Sequence, residues 1–276
     1  MLTLPLLALI GLGAACAFAG ALGGIGGATL LVPVLLLLDV DPLVAAPLGM
    51  LTVAAGSLAA ASRQIDDGLV HHRLGLSVEL FASIGTVVGA LASTQVSETW
   101  LSRLLGLAAL VGAVAAIARK GLRNQPVGIF DDEPAGEWPG TLGGSYSLQG
   151  RVVPYHAERV PAGLGLSVLA GVVSGLAGVG GGFLKTPAMS EVMKVPVKVA
   201  AATTTFVSGV TAATALIIYA GQGRLDVRGG AGIVVGALLG GATGARLQSV
   251  LHATTVRRVT GSLLVVVAVV VIGRTL

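Results

Sequence analysis

The feature that most constrains this chain is a glycine cluster that interrupts a long apolar segment and occurs twice. The first copy reads GALGGIGGA over 20–28 and precedes Pro33, and the second reads SGLAGVGGG over 174–182 and precedes Pro187. Glycine lets the backbone leave helical geometry and lets another group come close. In a membrane, irregular backbone is tolerated only where it is buried in protein or lines a wet cavity. We therefore predict that the two clusters together build a transport site.

The composition is typical of a polytopic helical membrane protein. Of the 276 residues 54% are hydrophobic and only 11% are charged, which is too little charge to cover a soluble domain. The 42 glycines favour close approach of helices in a lipid bilayer. The net charge of +4 bears on orientation in the membrane, and we predict no nucleic-acid partner. The single cysteine, Cys16, excludes an internal disulfide and a cysteine-rich metal site.

The chain is an internal repeat around a hydrophilic stretch. Pro33 aligns with Pro187 and Ala46 with Ala200, and a one-residue slip aligns the later glycines of the two halves. The intervening stretch is rich in proline, glycine and acidic residues and is typical of a flexible extramembrane linker. Internal repeats are a hallmark of secondary transporters. We predict a first membrane repeat over 1–120, a linker over 121–160 and a second membrane repeat over 161–276.

The distribution of basic residues favours one topology. If all eight apolar segments cross the membrane, the 17 Lys and Arg divide almost evenly between its sides. If the glycine-broken segments, about 5–38 and 161–190, are re-entrant hairpins, most of the 17 lie on the cytoplasmic side, as the positive-inside rule requires. We therefore predict an all-α polytopic protein of the inner membrane, with two inverted-topology repeats. Each repeat is a glycine-broken re-entrant segment plus three transmembrane helices, with extracytoplasmic termini and a cytoplasmic linker.

Two hairpins that enter from opposite faces bring their glycine tips together near the bilayer midplane. The short helical arms after the tips begin near Ala28 and Gly182, and their first N–H groups lack intrahelical partners. Two such helix ends, each at the positive end of a helix dipole, favour an anion. Hydroxyl donors on the following helices suit an oxyanion. The predicted substrate-binding residues are Gly24, Gly26, Gly27, Ala28, Thr52, Ser57, Gly178, Gly180, Gly181, Gly182, Thr203, Thr204, Thr205 and Ser208.

Each of these features also has a plainer interpretation. The glycines favour close helix packing whether or not they bind a substrate. Hydroxyls in membrane helices often bond back to a carbonyl one turn earlier. Lys185 and Glu79 lie inside apolar segments, where ionisable residues are functional candidates for charge or proton coupling. Alternatively, both side chains snorkel to the membrane surface.

The sequence gives no strong signal for nucleotide binding, catalysis or metal binding. Neither glycine cluster is followed by the Gly-Lys-Ser/Thr of a nucleotide-binding loop, and no enzyme constellation is present. The adjacent His71 and His72 are typical of a solvated loop pair, with no further ligands placed to complete a metal site. We therefore predict that the protein is not an enzyme and has neither a cofactor nor a metal.

The paired motif, GGIGG before Pro33 and GVGGG before Pro187, with a helix rich in small residues after each, resembles the TauE/SafE sulfite exporter family. The resemblance covers about 5–120 and 160–276 and excludes the linker. It implies a bacterial inner-membrane permease that moves sulfite, organosulfonates or related sulfur-containing anions. The first copy departs from the usual triple glycine, with Ala28 in the place of Gly182.

The sequence leaves three classes of function open. The first is a secondary transporter for a small sulfur-containing oxyanion, in which a proton is a candidate coupling ion. The second is a passive anion channel of the same architecture. The third is a non-transporting membrane scaffold that acts through its cytoplasmic linker.

Overall fold

The computed structural model of the chain describes residues 5–97, 136–148 and 151–250, with isolated positions in 99–110 and 262–273. The described elements are helical except for one small sheet. The helices are α1 (Leu6–Gly23), α2 (Ala28–Leu37), α3 (Pro42–Asp66), α4 (His72–Ala92), α5 (Val160–Ala177), α6 (Gly182–Pro187), α7 (Val197–Gly221) and α8 (Val227–Val250). A π-helical turn, Ala188–Val192, continues α6. The strands are β1 (Gly136–Glu137), β2 (Gly143–Leu148) and β3 (Arg151–His156).

Five of the described helices are long and apolar enough to cross a membrane, namely α3, α4, α5, α7 and most of α8. The apolar stretches of α1 and α2, Leu6–Leu22 and Ala28–Leu37, are shorter. The protein is therefore a multi-pass membrane protein, as its composition predicts. The predicted fourth and eighth segments, about 100–118 and 257–274, fall largely outside the described residues. The re-entrant and inverted arrangement of the repeats stays a prediction.

The helices α3 and α7 correspond closely in the two halves. Each has 25 residues, and they begin at Pro42 and Val197, an offset of 155 (197 minus 42). The glycine breaks have an offset of 154, since Gly24 corresponds to Gly178 (178 minus 24). The extra residue therefore enters between the break and the following helix. This register places Ala46 opposite Ala201, one position later than the predicted match to Ala200.

The two halves interleave. Helix α1 packs along α8 of the other half, and α4 packs along α5. Glycines on α8 and α4 allow the backbones to touch: a methyl group on Gly244 would lie 2.5 Å from the Phe18 carbonyl oxygen. Gly85 and Gly89 make equivalent contacts with the backbone of α5. Close packing through small residues thus accounts for these glycines.

The predicted flexible linker is in part folded, which corrects both its flexibility and a strictly all-α description. Residues of 136–148 and 151–156 form an antiparallel sheet in the order β1-β2-β3, with Gly136 opposite Ser145 and Gly143 opposite His156. Tyr146 and Tyr155 from this sheet bury their rings in one apolar cluster with Leu74 of α4 and Met189 of the π-helical turn. The sheet is therefore packed onto the helices at the start of α4. An apolar face of this kind cannot be recognised in so short and polar a stretch of sequence.

The two adjacent histidines are also not a solvated pair. The His71 side chain is fully buried and lies edge-on to Tyr155, while the His72 side chain is partly exposed. Glu137 of β1 accepts a hydrogen bond from the His72 backbone and lies 2.6 Å from His72 Nδ1 and 3.4 Å from His71 Nδ1. Burial lowers the pKa of His71, against the opposing charge of Glu137. The pair anchors the sheet to α4.

Candidate functional site

Both glycine clusters break their segment with left-handed backbone. Gly24, the residue that follows α1, has φ of 63°, and Gly26 has φ of 80°. Gly178, the residue that follows α5, has φ of 73°, and Gly180 and Gly181 have φ of 77° and 67°. Side chains other than glycine rarely adopt these angles. The consecutive glycines therefore end the helices and turn the chain, as the sequence predicts.

The two breaks touch each other in the structure. The Thr186 hydroxyl donates a 2.6 Å hydrogen bond to the Gly24 carbonyl, across the two halves. The Thr29 hydroxyl donates at 3.0 Å to Ile25 and lies 3.4 Å from the carbonyl of Val179 in the second break. These contacts place the two tips side by side, whatever the topology of the segments that carry them.

The difference between Ala28 and Gly182 follows from what each faces. A methyl group on Gly182 would lie 2.7 Å from the Ile25 carbonyl oxygen, so that position requires glycine. The Ala28 methyl instead faces α3, where it would lie 3.2 Å from a Cβ placed on Gly49. At the second tip the backbone of Gly182 must come close to that of Ile25. At the first tip Gly49 of α3 leaves room for the Ala28 methyl group.

Most of the N–H groups at the start of the short arms already have partners. The N–H groups of Thr29 and Leu30 donate to Gly26 and Gly27, and that of Lys185 donates to Gly181. In the second arm α6 has only six residues before the π-helical turn. Fewer free N–H groups are therefore available to bind an anion at these helix ends than the sequence predicts. Side-chain donors are the stronger candidates.

A small cavity lies beside the first break. It has room for about one water molecule in this conformation. Two helices of the first half and α7 of the second half supply its walls. The cavity is lined by Ala17, Gly20, Ala21, Gly26, Gly27, Thr52, Val53, Gly56, Ser57, Thr205 and Ser208. Six of the predicted substrate-binding residues are in this set, and they come from three separate stretches of sequence.

The hydroxyl groups of the cavity differ in how far they are already used. Thr52 donates to the Leu48 carbonyl and Thr205 to that of Ala201, the backbone bonding that the plainer interpretation predicts. Ser208 is 1% exposed, and its hydroxyl oxygen has no hydrogen-bond partner among the described residues. A buried hydroxyl without a partner costs free energy unless a ligand or water satisfies it. Ser208 is thus the cavity's strongest candidate donor.

The other predicted substrate-binding residues lie outside this cavity. The Thr203 hydroxyl accepts from the His71 N–H, and that of Thr204 lies 3.5 Å from the sulfur of Met189. Both therefore face the start of α4 and the π-helical turn. The remaining predicted residues lie at the tips themselves and shape their contacts. They are Gly24, Ala28, Gly178, Gly180, Gly181 and Gly182.

The two predicted charge-bearing residues form an ion pair inside the protein. The Lys185 ammonium lies 2.9 Å from Glu79 Oε2, and their side chains are 0% and 3% exposed. The Thr211 hydroxyl accepts a hydrogen bond from Lys185 at 2.6 Å and donates one to Glu79 Oε1 at 2.6 Å. Ser83 donates to the same carboxylate oxygen at 2.9 Å. Neither charged residue snorkels to the surface, which excludes the plainer interpretation.

Sequence reasoning missed three residues beside this ion pair, namely Thr211, Ser83 and Ser174. One signal was available for the first, because Thr204, Ser208 and Thr211 follow helical spacing on one face of α7. Ser83 also had a signal, because it lies four residues after Glu79 on α4 and donates to its carboxylate. No sequence signal marks Ser174 as a neighbour of Lys185, because the two residues flank Gly181 only once the chain is folded. No group of three or more His, Cys, Asp or Glu residues suited to a metal ion occurs among the described residues.

The chain is similar to known membrane transport proteins. A family profile described as sulfite exporter TauE/SafE matches residues 8–271. A curated relative from Bacillus subtilis (strain 168), named "Probable membrane transporter protein YunE", is 27% identical over 264 residues, which cover 90% of each chain. No solved structure matches the chain at a significant level.

Proposed function

Because the chain belongs to the TauE/SafE sulfite exporter family, we propose that it is a secondary permease for a small sulfur-containing oxyanion such as sulfite or an organosulfonate. The membrane transporter class follows from the family. The substrate, its site and its coupling to a proton are our proposals.

One observation carries the proposed site, namely the unpartnered Ser208 hydroxyl in a cavity beside the contacting glycine breaks. A sulfite oxygen would accept a hydrogen bond from Ser208. Gly26 and Gly27 line the same cavity and place no side chain of their own in it. The N–H groups of Gly27 and Ala28 are candidate further donors at the N-terminus of α2. No buried cation is needed in this first cavity.

The size of the cavity supports a transporter over an open channel. A space for about one water molecule is too small for a sulfur oxyanion. The walls must therefore move for each anion that binds, as alternating access requires. We propose that the contacts between the two breaks, including Thr186 with Gly24, are remade during this movement.

Uptake into proteoliposomes tests the proposal. Purified protein is reconstituted and offered radiolabelled sulfite, methanesulfonate, sulfate and chloride, with protein-free vesicles as the reference. We expect saturable uptake of sulfite or methanesulfonate that unlabelled substrate accelerates from the opposite side. Correctly inserted protein that moves none of the four anions contradicts the proposal. A turnover above about a million per second, without counterflow, favours the channel.

The packed sheet changes how the scaffold alternative is tested. Deleting the linker would expose the apolar surface that Tyr146 and Tyr155 cover, so loss of activity would not separate the alternatives. Exposed residues of the sheet, such as Ser147, can be substituted instead without disturbing that core. A transporter keeps its uptake after such changes.

A further inference from the structure

The Lys185–Glu79 ion pair lies beside the second break, at the position in the repeat that the cavity occupies beside the first. Three cavity-lining residues of the first half correspond to second-half residues that lie around Lys185. The correspondence uses the offset of 154 in the breaks and 155 in the helices. The three pairs are Gly20 with Ser174, Gly27 with Gly181, and Gly56 with Thr211. The same place in the two repeats therefore holds a cavity without charged side chains in one and a charged cluster in the other.

At the second break, hydrogen-bond donors stand at positions where the first half has glycine, namely Ser174 for Gly20 and Thr211 for Gly56. A Cβ on Gly181 would lie 3.4 Å from the Ser174 Cβ and 3.5 Å from the Lys185 Cε, so these two side chains flank the tip. Ser174 is fully buried, and its hydroxyl oxygen has no hydrogen-bond partner among the described residues. With the Thr211 hydroxyl, three donors of the second repeat converge near the glycine tip.

The carboxylate of Glu79 is bound in this place as an anion would be. Its two oxygens accept from Lys185, Thr211 and Ser83, at 2.6–2.9 Å. Glu79 belongs to α4 of the first half, whereas Lys185 and Thr211 belong to the second. The donors and their anion are thus supplied by different halves of the chain. A movement of one half relative to the other would separate them.

We propose that Lys185, Thr211 and Ser174 form a second oxyanion subsite, which Glu79 occupies in this conformation and vacates when it is protonated. The proposal rests on the function proposed above and deepens it. A sulfur oxyanion and the ionised carboxylate compete for the same ammonium and hydroxyl. When Glu79 takes up one proton, the Lys185 charge becomes available to the transported anion. One proton therefore accompanies each anion that uses the subsite.

The charge balance makes this competition strict. An oxyanion that entered beside an ionised Glu79 would leave two negative charges facing one buried ammonium, which desolvation strongly disfavours. Lys185 is the one charged side chain in hydrogen-bond contact with Glu79 in the part of the chain that the structure describes. Helix α5 contains no titratable side chain, and α7 carries only Lys198 and Tyr219, near its two ends. The remaining titratable groups of these elements are His72 and Arg73 at the start of α4, and Glu191 in the π-helical turn.

The test measures how a pH gradient drives sulfite accumulation. Proteoliposomes containing wild-type protein or Glu79→Gln are loaded with radiolabelled sulfite on both sides, with the membrane potential held at zero by potassium and valinomycin. Coupling to one proton changes the accumulation ratio by about tenfold for one pH unit. The Glu79→Gln variant should keep sulfite counterflow and show only the response due to sulfite's own protonation. Ser83→Ala is the matched control, because it removes one bond to Glu79 without touching Lys185 or Thr211, and it should keep the coupling.

The outcomes separate this proposal from the proposed function. Sulfite counterflow by wild-type protein with the same pH response in Glu79→Gln overturns the subsite and leaves the permease standing. A well-folded Glu79→Gln variant without counterflow also overturns it. Wild-type protein that transports none of the four offered anions overturns both. If it moves methanesulfonate and not sulfite, the same measurements are made with methanesulfonate.

A second variant keeps the test decisive if Glu79→Gln does not fold. Thr211→Val removes a donor to the anion and leaves the Lys185–Glu79 pair in place. Loss of a hydrogen bond to a charged group predicts an increase in the KM for sulfite of about tenfold or more, with coupling to the pH gradient retained. An unchanged KM in folded Thr211→Val protein contradicts the subsite.

Discussion

The two glycine breaks have similar backbones and very different surroundings. The first borders a neutral cavity, and the second borders a buried ring of Lys185, Glu79 and Thr211. By the repeat offsets, the positions that correspond to these three are Leu31, Val234 and Gly56. Both tips contact each other through similar backbone turns. Charged side chains are present only at the second tip. We infer that the first tip binds the anion through neutral hydrogen-bond donors and that the second tip supplies a positive charge.

The largest effect is expected from breaking the charged ring on one side only. Lys185→Met leaves the Glu79 carboxylate buried without its cation, which should cost about 3–5 kcal/mol of unfolding free energy. The double variant Lys185→Met with Glu79→Gln leaves no unpaired charge and should remain near the wild type. Thermal and denaturant unfolding in detergent measure both. Equal destabilisation of the single and double variants would show that the pair is not coupled as described.

The next effect separates the two tips by exchanging Ala28 and Gly182. Gly182→Ala places a methyl group against the Ile25 carbonyl and should destabilise the protein by about 1–3 kcal/mol, as overpacking does. Ala28→Gly should cost no more than about 1 kcal/mol, the usual loss from added backbone freedom in a helix. Unfolding temperature and sulfite uptake are measured for both. Similar losses in the two variants would mean that the tips are equally crowded.

A third change makes the first cavity resemble the second place. Gly56→Thr introduces the side chain found at Thr211 into the wall of the cavity, where its Cβ would lie 3.3 Å from that of Ala17. An overpacking cost of about 1–3 kcal/mol in the anion-bound state predicts sulfite binding weaker by roughly 5- to 100-fold. Gly11→Ala, where an added methyl meets nothing within 4 Å, is the control and should bind normally. Unchanged binding by Gly56→Thr would separate the cavity from the substrate.

The smallest effect concerns the sheet, which packs at the start of α4, beside the second half's π-helical turn. Burial raises the pKa of Glu137, but hydrogen bonds from His72 and Arg73 outweigh it, so the net pKa is lowered. The pKa of His71 is lowered by burial. A lowered pKa in the folded state means that stability present at neutral pH is lost on acidification. For His71 the loss begins near its ordinary value of 6.5, and for Glu137 near 4.5.

Hydrogen exchange of residues 143–156 measures this docking. We expect exchange to become faster as the pH falls below about 6.5, after correction for the intrinsic rate. Glu137→Gln should undock the sheet partly at neutral pH, whereas Glu158→Gln, at an exposed position, should not. Protection that is independent of pH would show that the apolar contacts alone hold the sheet.

The sequence was sufficient for the helices and the breaks, because these depend on local signals. The apolar runs predict helices over about 44–62, 74–94 and 199–220, and α3, α4 and α7 match these bounds to within about four residues. The consecutive glycines predict the turns at Gly24 and Gly178. Contacts between distant elements were not predictable in the same way. Nothing local marks Glu79 as the partner of Lys185, 106 positions away. The sheet was missed because its stability comes from packing Tyr146 and Tyr155 on the helices and not from a strong strand pattern.

The candidate site was predicted in part, and the reason is geometric. Membership of a helix face can be read from spacing, but which of three consecutive threonines faces a cavity depends on the neighbouring helices. Thr205 lines the cavity, whereas Thr203 and Thr204 face the start of α4 and the π-helical turn. The family was predictable because the paired glycine motif resembles it, and the family profile confirms that prediction.

Equilibrium binding of radiolabelled sulfite to purified wild-type, Ser208→Ala and Thr204→Val protein tests the central claim most directly. Ser208 offers an unpartnered buried hydroxyl to the cavity, while Thr204, four residues earlier on the same helix, lies against Met189. The account predicts saturable binding by the wild type, about tenfold or more weakening in Ser208→Ala, and less than about twofold change in Thr204→Val. Equal binding by wild type and Ser208→Ala, or weakening confined to Thr204→Val, would contradict it.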